Sequence, residues 1–187
     1  MNLRKKFKNT VASYLLEREL KDQHRDYRSV SFDEAQRIGI LYDATNELDY
    51  EMIKRFVKET RAQQKEVLAL GFYDRKDLPD TRFVKLGLDF FTRRSLNWHL
   101  KPRHPRITNF MNAGFDILIN LNIEKCFPLK YISAHTRAKF KIGKYDKRNS
   151  RICDFMVKTN DDIPVGKLIE QFLHYLKQIK HEQPKDV

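Results

Sequence analysis

Residues 115–121 read Phe-Asp-Ile-Leu-Ile-Asn-Leu, and four of the seven are branched apolar residues. A strand with one wet face alternates apolar and polar side chains. A run this apolar predicts a central strand buried on both faces, as in parallel sheets covered by helices. Two further runs extend the pattern. Arg37-Ile38-Gly39-Ile40-Leu41-Tyr42 and Val67-Leu68-Ala69-Leu70-Gly71-Phe72-Tyr73 bracket a helical stripe of Leu48, Met52, Ile53, Phe56 and Val57. That helix starts acidic (Glu47, Asp49, Glu51) and ends basic (Lys54, Arg55, Lys58, Arg61), which complements its dipole. Thr45 or Asn46 supplies its N-cap. Strand, helix and strand in this order form a βαβ unit, whose crossover implies parallel pairing.

The remaining elements fall on either side. Residues 88–92 predict a third strand, and 97–106, with Pro102 and Pro105, an extended segment. Residues 107–113 predict a short helix with Gly114 as its C′ residue. Residues 128–137 predict a helix with Leu129, Ile132 and Ser133 inward. Residues 138–143 alternate strictly, as a strand does, and 152–157 predict another strand. A closing helix spans 163–180, with Asp162 as its cap, Pro164 in its first turn, and Leu168, Ile169, Phe172, Leu173, Leu176 and Ile179 on its buried stripe. The expected fold is a single three-layer α/β domain with a mostly parallel, Rossmann-like or flavodoxin-like sheet. Residues 1–28 form a basic amphipathic N-terminal helix and connector, 29–181 the α/β domain and 182–187 a flexible tail.

The first helix carries Leu3, Phe7, Val11, Tyr14 and Leu15 at helical spacing, flanked by Arg4, Lys5 and Lys8. Three roles fit this stripe: docking on the domain, lying on a membrane surface, or facing nucleic acid. Val11–Leu16 is too short for a signal-peptide core and runs into Glu17-Arg18-Glu19. Mean hydropathy of −0.67 and the lack of a long apolar run exclude a membrane span. Cys126 and Cys153 are too few for a disulfide framework or zinc site and read as reduced thiols of a cytoplasmic protein. The length of 187 residues suits one domain.

The stretches 38–42, 115–121 and 137–143, together with the short basic first helix, resemble an uncharacterised bacterial α/β family, a domain of unknown function. That resemblance implies the fold and carries no activity. Phe115–Leu121, the helix after it and Arg137-Ala138-Lys139-Phe140-Lys141-Ile142-Gly143 are also similar to one βαβ unit of heptosyltransferase-type glycosyltransferases. There the match concerns packing positions, so it implies related architecture rather than shared chemistry.

Ligands of open α/β sheets bind beyond the carboxyl ends of the strands. That rule selects Asp43, Thr45 and Asn46 after the first strand, Asn120 and Asn122 after the central one, and Lys144, Tyr145 and Asp146 after 138–143. A nucleotide or sugar phosphate is the ligand such a site would take. The same residues also suit plain capping and turn formation. The chain has no Gly-x-Gly-x-x-Gly and no Walker lysine, which argues against a dinucleotide or P-loop site. No cofactor is expected. The six histidines match no metal or catalytic spacing, and no serine sits in a Gly-x-Ser-x-Gly elbow, so no metal site and no catalytic residue is assigned.

Charge is the other signal. The net charge is +12, and residues 71–151 alone hold 18 basic and 7 acidic side chains, or +11. Arg93, Arg94, Trp98, Arg103, Arg106, Lys139 and Lys141 make the candidate polyanion-binding set, because cations interleaved with aromatics suit phosphate neutralisation and base stacking. The leading expectation is a non-enzymatic binding protein with a basic face for RNA or a ribonucleoprotein. Peripheral membrane contact through the first helix is a further option.

Overall fold

Among the described residues, six strands join into one sheet, and every pairing between them is parallel. They are β1 (Arg37–Asp43), β2 (Glu66–Tyr73), β3 (Leu88–Thr92), β4 (Ile117–Asn120), β5 (Phe140–Lys144) and β6 (Phe155–Val157). Their order is β3-β2-β1-β4-β5-β6, the doubly wound Rossmann order, which reverses direction between β1 and β4. This computed structural model describes residues 3–21, 25, 27–77, 88–123 and 126–179. The tail at 182–187 lies outside the described residues.

Helices cover both faces. On one, α2 (Glu47–Ala62) packs beside α5 (Val165–Gln178); on the other, α3 (Pro105–Met111) packs beside α4 (Phe127–His135). A further helix, α1 (Leu3–Lys21), lies over α4. Alternation within the strands divides the core accordingly. Ile38, Ile40, Tyr42, Ile117, Ile119 and Leu121 point into the cluster with α2 and α5, while Leu41 and Leu118 point into the cluster with α3 and α4. At Gly39 a Cβ would stand 2.7 Å from the Phe115 ring, so β1 needs glycine where Phe115 crosses it.

Several boundaries differ from the expectations for physical reasons. β4 is shorter than its apolar run, and just before it the Asp116 carboxylate accepts the backbone N–H groups of Gln36 and Arg37, each at 2.9 Å, while its own backbone still bonds to Arg37 and Phe140. In α2 the cap is Asn46, whose Oδ1 accepts from Leu48 N. Leu48 itself is exposed, and Tyr50 takes the place expected for it on the buried stripe. Asn112 caps α3, leaving Gly114 two residues further on at φ +66°. Asp162 does not cap α5. A residue before proline avoids the helical region, so the helix starts after Pro164, at Val165.

The first helix docks through a different face from the one expected. Ala12 and Leu16 are buried, and Leu20 packs with them against Tyr131, Ala134, Ile152 and Cys153. Glu19 completes the contact: its carboxylate lies 3.0 Å from both Lys101 Nζ and His135 Nε2. The His135 ring stacks on Tyr131 at 4.1 Å, and Lys101 Nζ sits 5.0 Å from the same Tyr131 ring.

Candidate functional site

The strand-end residues divide between two cavities at the reversal point of the sheet. Asp43 and Asn46 line a cavity of 70 Å³ on the α2 and α5 side, with Asp49, Ile53, Leu121, Ile123 and Val165. Asn120, Asn122 and Lys144 line a cleft of 470 Å³ beyond β4 and β5. Ile123 borders both. Thr45 is engaged locally, its Oγ1 accepting the N–H of Asp74 at 3.0 Å.

The small cavity suits anions poorly. The Asp43 carboxylate accepts the N–H of Thr45, Asn46 already caps α2, and Glu47 and Asp49 follow in the first turn. Burial, and then the charge of Asp43, push the Asp49 carboxyl above its ordinary value. A phosphate here would meet carboxylates where a dinucleotide fold presents bare N–H groups. Among the described residues no group of His, Cys, Asp or Glu is arranged to hold a metal ion.

Several parts of the chain build the large cleft. Its floor is Asn120, which is buried at the end of β4 and whose Oδ1 accepts the N–H of Asn122 at 3.1 Å. One wall is the start of α4, with Cys126, Phe127 and Lys130. Another is the segment after β5, with Tyr145, Asp146 and Asn149. Across from these stand Asn9, Ser13 and Glu17, spaced four apart along one edge of α1. The lining holds three carboxylates (Glu17, Asp146, Asp161) against two ammonium groups (Lys130, Lys144), so it has no cationic excess. Lys144 Nζ is already engaged, donating to the Asp161 carbonyl at 3.1 Å. The Oδ1 of Asn122 is buried with no hydrogen-bond partner among the described residues. Buried polar atoms are nearly always paired, so an unpaired acceptor in a cleft wall is a place for a ligand donor or a water.

The strand-end rule located Asn120, Asn122 and Lys144, but nothing in the sequence alone pointed to Asn9, Ser13 or Glu17. Their polar four-residue spacing was the available signal, and it looks like an ordinary solvent face.

The basic candidates do not converge as one free face. Arg93 donates to Asp74 at 2.6 Å, Arg94 pairs with Asp77, Arg106 lies 3.9 Å from Asp89, and Lys139 donates to Asp116 at 2.8 Å. Lys141 leaves the surface altogether. It is 2% exposed, and its Nζ donates to the carbonyls of Ser133 and Ala134 at the end of α4. Strict alternation suggested a wet face for this strand, but β5 is internal and α4 covers the face that carries Lys141. Trp98 is 63% exposed, with its ring edge-on to His99. Arg103 is also exposed.

The chain belongs to DUF6913, a family of unknown function. The family model matches residues 8–179, so the DUF6913 unit includes the α1 wall of the cleft as well as the whole sheet. No curated protein matches the chain, and no solved structure does. No described helix is long and apolar enough to cross a membrane.

Proposed function

We propose that this DUF6913 protein binds a small, polar, largely uncharged organic molecule, such as a nucleoside or sugar, in the cleft between α1 and the carboxyl ends of β4 and β5. The observation that carries this reading is the lining of the 470 Å³ cleft. Its volume falls within the roughly 300–1,000 Å³ typical of ligand sites. Asn9, Asn120, Asn122 and Asn149 offer paired donors and acceptors, Ser13 and Tyr145 offer hydroxyls, and Phe127 and Ile123 offer apolar contact. Amides and hydroxyls match the hydroxyls of a sugar or the edge of a base. The balanced charge gives little purchase on a phosphate, so the uncharged moiety of a nucleotide or sugar phosphate is the part recognised. Thermal unfolding with a panel of nucleosides, their phosphates and free sugars tests this. An uncharged member should raise the melting temperature, and Asn120→Leu or Asn122→Leu should remove the effect. Stabilisation that survives both substitutions would place the ligand elsewhere, and no stabilisation by any member would end the proposal.

A second reading, binding of RNA or a ribonucleoprotein, is favoured by the +11 carried by residues 71–151 and by exposed Trp98 with Arg103 in the same loop. The ion pairs of Arg94 and Arg106 are exposed, so each is weak enough to exchange its carboxylate for a phosphate. Retention on immobilised RNA through a salt gradient, weakened in Trp98→Ala/Arg103→Glu, is the expected result. Equal retention of that variant would remove this reading.

A further inference from the structure

The first helix carries two apolar stripes, and only one of them is docked. Ala12, Leu16 and Leu20 face α4. Phe7 and Tyr14, seven residues apart and therefore on one line of a helix, face away from that contact. They are 66% and 67% exposed, with Val11 half-buried between them. Arg18 and Lys21 continue the same band and are exposed. The nearby carboxylates turn elsewhere, Glu17 into the cleft and Glu19 onto Lys101 and His135. The sequence adds Arg4, Lys5, Lys6 and Lys8, with no acidic residue before Glu17.

The geometry points to an anionic lipid surface as the occupant of this outer face of α1. Cations around an aromatic stripe complement a negatively charged plane, and aromatic side chains favour the boundary between headgroups and acyl chains. A second copy of the chain fits worse, because both partners would carry +12. Nucleic acid also fits worse. The two ring-bearing residues are about 10 Å apart along a rigid axis, roughly three base-stacking steps, whereas a plane receives both at one depth. The α1 helix is the outermost layer over α4, so the body of the domain lies behind it. A few aromatics with a basic cluster give reversible, salt-sensitive attachment rather than a permanent anchor.

Co-sedimentation of the full chain with vesicles tests the inference. Binding is expected to vesicles of phosphatidylcholine doped with phosphatidylglycerol, to fall with added salt, and to be absent on pure phosphatidylcholine. Phe7→Ala/Tyr14→Ala should weaken it by about tenfold or more, since burying one aromatic is worth at least a factor of ten. Phe7→Trp/Tyr14→Trp should retain it. Circular dichroism controls for folding, which exposed positions should leave unchanged. Failure to sediment with the anionic vesicles would overturn the inference, as would equal binding by Phe7→Ala/Tyr14→Ala. Loss of RNA retention by that variant with lipid binding intact would assign the face to nucleic acid instead. None of these outcomes depends on what fills the cleft.

Discussion

The ammonium group of Lys141 reaches the carbonyl of Ser133 at 2.7 Å, so a strand side chain closes the end of a helix packed above it. A second bond, to the Ala134 carbonyl at 3.0 Å, satisfies another carbonyl of the last turn of α4. Burial, and then the charge of Arg25, push the Lys141 pKa down to about 7, and the neutral amine still carries the two N–H groups that these bonds need.

Stability should therefore climb with pH above neutrality. An unfolded lysine titrates near 10.5 and the folded one near 7, so between these values the unfolded chain holds the extra proton. At about 1.36 kcal/mol per pH unit the climb amounts to a few kcal/mol. Lys141→Met should flatten it and, at alkaline pH, cost about 1–3 kcal/mol for the carbonyls left buried and unpaired. Urea unfolding of both proteins across this range measures the difference. Parallel pH profiles would show that Lys141 is not the source.

Asp116 should be the least replaceable polar residue at the amino ends of the strands. One carboxylate oxygen takes two backbone N–H groups beside β1, and the other takes Lys139 at the start of β5. Burial alone would raise its pKa, but Lys139 and the two N–H groups outweigh burial and hold it below the usual carboxylate value. Its contribution is present at neutral pH and lost as pH falls through that lowered value. Asp116→Ala should cost about 1–3 kcal/mol in chemical unfolding at neutral pH. Lys139→Met, at a half-exposed position, should cost less than about 1 kcal/mol. An equal loss in both would show that the ion pair, rather than the backbone clamp, carries the effect.

The contrast between Lys141 and Asp116 shows what the sequence can and cannot disclose. Runs such as 115–121 report burial on two faces, so the parallel sheet and its element order were legible. The Asn46 cap was legible because the cap is a local interaction. The destination of Lys141 was not, since alternation says that two faces differ without saying that both are covered. The docking face of α1 was illegible for a related reason: apolar residues occupy two stripes, and only α4 chooses between them. The candidate cleft was half legible. Its Asn120, Asn122 and Lys144 follow from the strand-end rule, while Asn9, Ser13 and Glu17 enter only once α1 is placed.

Glu19 should control how firmly α1 stays on the domain. Burial would raise its pKa, but the hydrogen bond and charge of Lys101, with His135 and Tyr131, hold it below its ordinary value. The carboxylate therefore favours the docked helix at neutral pH and loses that effect as pH falls through the lowered value. The site is more than a third exposed, so screening limits the contribution to less than about 1 kcal/mol. Glu19→Gln should speed amide hydrogen exchange in residues 3–21 while leaving β1 and β4 protected. Unchanged exchange in α1 would mean that the apolar contacts of Leu16 and Leu20 hold the helix unaided.

The two thiols should separate in reactivity and report on the cleft. Burial pushes the Cys153 pKa up to about 12, only partly offset by Lys141, so at neutral pH it holds almost no thiolate. Cys126 is half-buried and lines the cleft. N-ethylmaleimide should therefore modify Cys126 well before Cys153, and Cys126→Ser should abolish the fast phase. A ligand seated against Asn120 and Phe127 should slow that phase in proportion to occupancy, because the same wall bears the thiol. A compound that raises the melting temperature while leaving Cys126 alkylation unchanged would bind outside the cleft, which separates true occupancy from general stabilisation.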